Sequence, residues 1–315
     1  MAITKFANMV VVPEHFTTYV NERTTEKSAL VQSGAATPDA RVAQVINGTP
    51  LGGNMITMPF YKPLSGDDEI FGEDALTPDG VQTGNERATL LIRQKAWGAT
   101  DLARVKGGSD PMAAIMNMVS DWWLEREQAI FINVLKGLFG ASGALATKHL
   151  LDISTQSGAD AVIGVDATLD AKNLMGDAYD KITAVAMHSA TYTKLQKQQK
   201  IETEYSSDLK VKIDTYLGYR VIVDDSLPVN SGVYDTYLIG AGAFTRDSGA
   251  PSGLISTETD RDKLKAEDFL INRKAFVLHP NGVSFTGTPT KAYATNGDLA
   301  TASNWQLVKD AKNVP

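Results

Sequence analysis

The sequence contains no cysteine. That excludes disulfides, thiolate catalysis and cysteine zinc sites. It has only four histidines, His15, His149, His188 and His279, and none has a histidine or carboxylate partner at metal-ligand spacing. Positive charge is scarce: 30 Lys and Arg stand against 37 Asp and Glu, a formal net charge of -7. A protein that grips nucleic acid usually has the opposite balance, because phosphate neutralisation supplies most of the affinity. Long apolar runs are also missing. The opening MAITKFANMVVVPEHF holds no stretch suited to a signal peptide or a membrane span. The weakly charged region 129–146 is broken by Gly137, Gly140 and Gly143. No nucleophile elbow, phosphate loop or internal repeat occurs. These absences predict a soluble intracellular protein, or one that leaves the cell without a signal. Its 43% hydrophobic residues are enough to bury a sizeable core.

What is present changes character along the chain. Pro13 opens a predicted helix to about Val31, with Phe16, Tyr19, Val20 and Leu30 near one face. From Met55 the period becomes two. MITMPFYKP sets Ile56, Met58 and Phe60 on one side. ATLLIRQKAWG sets Ala88, Leu90, Ile92, Gln94 and Ala96 on one face, with Thr89, Leu91, Arg93, Lys95 and Trp97 on the other. Between the two runs lies a polar stretch rich in Gly and Asp. The pattern predicts two long strands forming a ribbon with a large polar tip. An isolated ribbon is marginal in water, and the chain nearby offers little support, so a neighbouring subunit is the expected one.

The clearest element begins at SDPMAAIMNMVSDWW. Asp110 is placed as N-cap and Pro111 at the first helical position. Met112, Ile115, Met116, Val119, Trp122, Trp123, Ile130, Val134 and Leu138 recur at three and four residues, with Asp121, Glu125 and Glu127 assigned off the stripe. A helix from Pro111 to about Lys136 would span roughly 40 Å. After a Gly/Ala-rich bend, strands and helices alternate: a helix over 166–182 capped by Asp166 or Thr168, a buried strand TAVAMHS, a polar helix ATYTKLQKQQKI, and strands YLGYRVIVDD and TYLIGAG. LINRKAFVLHP and NGVSFTG are later strands, and Trp305 and Leu307 anchor the end.

The one catalytic candidate is the adjacent pair Asp224 and Asp225, where GYRVIVDDSLP leaves a strand and turns at Pro228. Successive strand side chains point to opposite faces. A polar exit turn, with Asp and Ser bonding locally, therefore explains the pair better than a metal or acid–base site. IGAGAFT has Thr245 where a dinucleotide loop needs its third glycine. In GGSDP, Asp110 would repel the anion that a free helix N-terminus attracts. KLQKQQK lacks interleaved aromatics and is the solvated face of a helix. Trp122 and Trp123 are core or interface anchors.

The order of these elements resembles the major capsid proteins of tailed bacteriophages, which share the Hong Kong ninety-seven phage capsid fold. FTTYVNERTTEKSALVQSGAA is similar to the N-terminal arm. MITMPFYKPLSGDDEIFG through ATLLIRQKAWGATDLA is similar to the extended loop, and SDPMAAIMNMVSDWWLEREQAIFINVLKGLFG to the spine helix. MHSATYTKLQKQ with IDTYLGYRVIVDDSLP is similar to the axial domain, and FVLHPNGVSF with SNWQLVKD to the return into the peripheral domain. The resemblance implies an α+β chain divided into an arm (1–50), an extended loop (51–100), a peripheral spine helix (101–143), an axial domain (144–257) and a return segment (258–315). It implies an icosahedral shell of hexamers and pentamers around double-stranded DNA, with no catalysis, cofactor, metal or membrane, assembled in the host bacterial cytoplasm. A portal and room for a decoration protein belong to the same picture. Only about fifty residues precede the ribbon, fewer than an ordinary domain, so a separate scaffolding protein is expected. Asp110, Pro111, Trp122, Trp123, Phe60, Trp97, Tyr219, Pro228 and Trp305 are the expected structural anchors. An encapsulin-like nanocompartment and a soluble α/β enzyme using Asp224 and Asp225 are the competing readings.

Overall fold

A computed structural model of the chain describes residues 34–48, 53–71, 78–101, 111–158, 160–205 and 212–310. The helix expected from Pro13 and the cap expected at Asp110 lie outside the described residues.

A short strand, β1 (Ala36–Thr37), leads into helix α1 (Ala40–Ile46). Asp39 caps α1 by accepting the Arg41 N–H at 2.9 Å. The ribbon follows. β2 (Met55–Tyr61) pairs antiparallel with β3 (Thr83–Thr89), Met55 opposite Thr89 and Tyr61 opposite Thr83. The alternating run 88–98 predicts one continuous ribbon strand, but the structure divides it at Leu90. β4 (Leu91–Thr100) leaves the ribbon and pairs instead with β14 (Glu267–Pro280). The alternation hides this change because residues 88–91 are buried on both faces. Ala88 and Leu90 meet Val42 and Ile46 of α1, while Leu91 joins the main core. The ribbon base therefore rests on its own chain, on α1 and on Val277 of β14; it does not depend on a neighbour for support.

Helix α2 (Pro111–Phe139) is 29 residues long, three longer than the sequence pattern indicates. Its first half is amphipathic, burying Met112, Val119 and Trp123. Its second half is not. Ile130, Phe131, Ile132, Val134, Leu135 and Leu138 are all buried, and Lys136 alone of 130–138 is exposed. The reason is the core they enter, which draws on both large sheets: Phe244, Phe276 and Leu278 from one, Ala186, Tyr237 and Ile239 from the other. Each such side chain contributes about 1.5–3 kcal/mol by burial.

The first large sheet is organised by β14, a 14-residue strand. It pairs on one side with β12 (Phe244–Gly249) and β13 (Thr257–Asp262), and on the other with β4; β1 lies parallel to β12 at the edge. The second sheet runs β11-β5-β8-β7-β6, built from β5 (Ile182–Met187), β6 (Ile201–Tyr205), β7 (Lys212–Tyr216), β8 (Tyr219–Val223) and β11 (Tyr237–Gly240). β5 and β8 are parallel, and the other pairs are antiparallel. Helices α3 (Val165–Asn173) and α4 (Ser189–Lys197) belong to this half. The N-cap of α3 is Gly164, not Asp166 or Thr168; the Thr168 hydroxyl bonds back to the Gly164 carbonyl at 2.9 Å and meets the Tyr216 hydroxyl at 3.2 Å. A tight hairpin, β9 (Val229–Asn230) and β10 (Val233–Tyr234), turns through Ser231 and Gly232, both at positive φ. The chain closes with β15 (Val283–Phe285), α5 (Asn296–Ala300) and β16 (Trp305–Leu307). Thr295 and Asp298 form a capping box on α5. None of the described helices is long and apolar enough to cross a membrane.

Candidate functional site

Asp224 and Asp225 part company at the end of β8. Asp224 accepts Gln128 of α2 on one oxygen and the Ser226 N–H, at 2.9 Å, on the other. Its own N–H donates to the Met187 carbonyl at 3.0 Å. It thus ties the second sheet to the long helix. Asp225 is exposed and accepts the Ser189 N–H at 3.1 Å, at the start of α4, where a carboxylate meets the favourable end of the helix dipole. Hydrogen bonds from the Ser189 side chain and then its backbone N–H lower the Asp225 pKa below the usual carboxylate range. Each acid has a structural task, and they do not converge. Among the described residues no group of three His, Asp or Glu side chains could hold a metal ion.

Three of the four expected tryptophan anchors converge. Trp97 of β4 meets Trp122 edge-on at 5.3 Å between ring centroids, and Trp122 meets Trp123 at 4.9 Å. Trp123 is 1% exposed, and its indole N–H donates to Asn272 Oδ1 of β14 at 2.6 Å. Asn272 in turn donates to the Thr257 hydroxyl of β13 at 2.9 Å. Trp122 is only half-buried, with Arg126 over its ring. Pro111 opens α2 as expected. Trp305 is buried, edge-on to Phe285, and donates to the Leu299 carbonyl at 2.8 Å. Pro228 is buried at the turn, and Tyr219 is half-buried under Lys172. Phe60 stands apart from the tryptophans, its ring over Gly84, where a Cβ would fall 2.6 Å from the ring.

Two charge clusters fall outside the expectations drawn from the sequence. Glu127, assigned off the stripe, is in fact buried on it. It bridges Lys274 of β14 and Arg246 of β12, the latter at 2.8 Å. Burial alone would raise the Glu127 pKa; the two adjacent cations outweigh it and hold the carboxyl ionised. Burial lowers the Lys274 pKa against the pull of Glu127. A signal did exist, since Trp123, Glu127, Ile130 and Val134 fall at intervals of four, three and four. The second cluster joins Glu86 of β3 to His279 of β14 at 3.2 Å and to Lys309 at 2.6 Å. His279 therefore gains a carboxylate partner through the fold, 193 residues away.

The far end of the ribbon is exposed. Tyr61 is 77% exposed, Leu64 81%, Ile70 95% and Phe71 fully so, with Val81 also exposed. Isolated apolar residues on a surface are ordinary. Five exposed within one segment, residues 61–81, exceed that background and make the segment a candidate interaction surface.

The Gp13-like family model, described as major capsid protein 13-like, matches residues 125–315. The major capsid protein of Bacillus phage SPP1 is 39% identical over 321 residues, covering 100% of this chain and 97% of that protein. Among solved structures, the capsid of Ralstonia phage GP4 aligns with a TM-score of 0.59 at 9% identity, over 82% of this chain and 86% of that one. Mycobacterium phage Che8 gives 0.51 at 11% identity, over 78% and 85%. Such low identities speak for the fold, which is the α+β phage capsid fold. These relatives favour neither an encapsulin-like compartment nor an enzyme built on Asp224 and Asp225. With its whole length aligned to a phage shell protein and its fold shared with phage capsids, this chain belongs to the Gp13-like major capsid protein family, the head-shell proteins of tailed phages.

Proposed function

We propose that copies of this chain close into an icosahedral shell of hexamers and pentamers around double-stranded DNA, each ribbon lying across a neighbouring subunit. The exposed apolar tip of the ribbon is the observation that carries this reading. Tyr61, Leu64, Ile70, Phe71 and Val81 are exposed and find no cover among the described residues, and a second copy supplies it. Closed symmetry then multiplies modest contacts into a stable shell. In this reading residues 1–50 act as an arm, 51–100 as the extended loop, 101–143 as the peripheral spine and 144–257 as the axial domain, with 258–315 returning to the peripheral domain.

The role is mechanical, without catalysis or cofactor. A separate scaffolding protein guides assembly in the host bacterial cytoplasm, a portal occupies one vertex, and a decoration protein can add to the outside. The net charge of -7 suits a container that holds DNA without gripping it, because a basic wall would impede movement of the genome. The test is the double substitution Ile70→Ser and Phe71→Ser, imaged by negative-stain microscopy. Folded subunits that no longer close into shells are expected; shells as uniform as those of the parent would refute the role of the tip.

A further inference from the structure

Lys309 holds both strands of the ribbon at once. Its ammonium lies 2.6 Å from Glu86 Oε2 on β3 and 5.1 Å from the centre of the Phe60 ring on β2. Lys309 is itself fixed by its backbone, since the Val308 and Lys309 N–H groups both donate to the Gly282 carbonyl, at 3.0 and 3.1 Å. Glu86 is 3% exposed. Its Oε1 accepts the Gly282 N–H at 2.9 Å and His279 Nε2–H at 3.2 Å. Among the described residues His279 Nδ1 is buried without a hydrogen-bond partner, so Glu86 alone orients that ring by hydrogen bonding. Arg41 of α1 adds a more distant positive charge. One residue further along β3, the Arg87 N–H donates to the Ser284 hydroxyl at 2.9 Å. Past the Phe60–Gly84 pair the ribbon side chains become exposed.

We propose that Lys309, Glu86 and Phe60 form a latch through which the C-terminal segment sets the angle of the ribbon to the body. The latch sits where the buried base of the ribbon gives way to its free arm. Displacing the C-terminal segment withdraws one ammonium from both strands together and loosens them, while the Gly282, His279 and Ser284 bonds to β3 and the apolar base stay in place. The segment thereby controls where the ribbon tip can reach, and the link to shell geometry rests on the docking role given above.

The latch is tested on dispersed full-length subunits by hydrogen exchange, so that its outcome is independent of shell closure. Lys309→Met keeps the aliphatic stem and removes the charge. Amides of 55–61 and 83–87 are expected to exchange about ten-fold or more faster, with α2 unchanged. Lys309→Arg restores most of the protection. Glu86→Gln reproduces the effect, and the double variant adds little to either alone. Ribbon exchange unchanged in Lys309→Met overturns the latch. So does acceleration that extends equally into α2, which makes the segment a general stabiliser, and so do fully additive effects of the two substitutions.

Discussion

Trp123→Phe keeps an aromatic face against β14 and deletes one donor. Asn272 Oδ1 loses the indole N–H that lies 2.6 Å away and stays buried at 4% exposure. An orphaned buried acceptor of this kind costs about 1–3 kcal/mol. The missing five-membered ring also forfeits contact with Trp122, 4.9 Å away, and with the Lys274 ammonium, 5.9 Å away. That loss adds about 1–2 kcal/mol. The expected destabilisation is about 2–5 kcal/mol, a large share of the ~5–15 kcal/mol that holds a typical domain folded. Urea unfolding of dispersed subunits reads it as a lower midpoint at constant slope. Pairing Trp123→Phe with Asn272→Leu removes the orphaned oxygen, so the double variant recovers at least about 1 kcal/mol relative to additivity. A single variant within about 0.5 kcal/mol of the parent, or a strictly additive double variant, would refute the reasoning.

Three further outcomes follow from the same contacts. Glu127→Gln leaves Lys274 and Arg246 facing a neutral amide in the core; a loss of about 3–5 kcal/mol in urea unfolding is expected, and a change under about 1 kcal/mol contradicts the role of the triad. Gly137→Ala improves local helix propensity by about 1 kcal/mol. Its new Cβ, however, overlaps the Leu299 carbonyl and falls 2.5 Å from the Trp305 indole nitrogen, so a lower Tm is expected and a higher one would show that α5 can move aside. Acid sensitivity is set in part by Glu86. Burial raises its pKa, but His279, Lys309 and the Gly282 N–H, with Arg41 farther off, pull it down from 4.5 to about 2. A depressed carboxyl stabilises the fold above its unfolded value and loses that contribution as pH falls toward its folded one. Between about pH 4.5 and 2 the parent should therefore lose about 3 kcal/mol more than Glu86→Gln does; parallel pH curves would contradict this.

The sequence revealed most where structure is local. Pro111 and the three-and-four spacing found α2, and period two found β2. The strand exit at Asp224 and Asp225 is readable from local sequence, though only the fold shows Asp224 reaching Gln128 on the long helix. Failures came where long-range packing decides. Alternation through 88–98 continues unbroken while the strand changes sheets at Leu90, because burial on both faces leaves no mark on a period of two. The second half of α2 exceeds its stripe because two sheets enclose it. Glu127 and Glu86 look like solvated charges until Lys274 and His279 arrive from 147 and 193 residues away. Gly137 looks like a helix breaker until Trp305 packs onto it.

The central claim is that the ribbon carries its exposed apolar tip for another copy of the same chain. Electron cryomicroscopy of assembled shells, at a resolution that traces the main chain, tests it most directly. The account predicts Tyr61, Leu64, Ile70 and Phe71 buried against a neighbouring subunit, with Glu86 and Lys309 still paired at the ribbon base. A tip folded back onto its own subunit, or left in solvent within a closed shell, would contradict it.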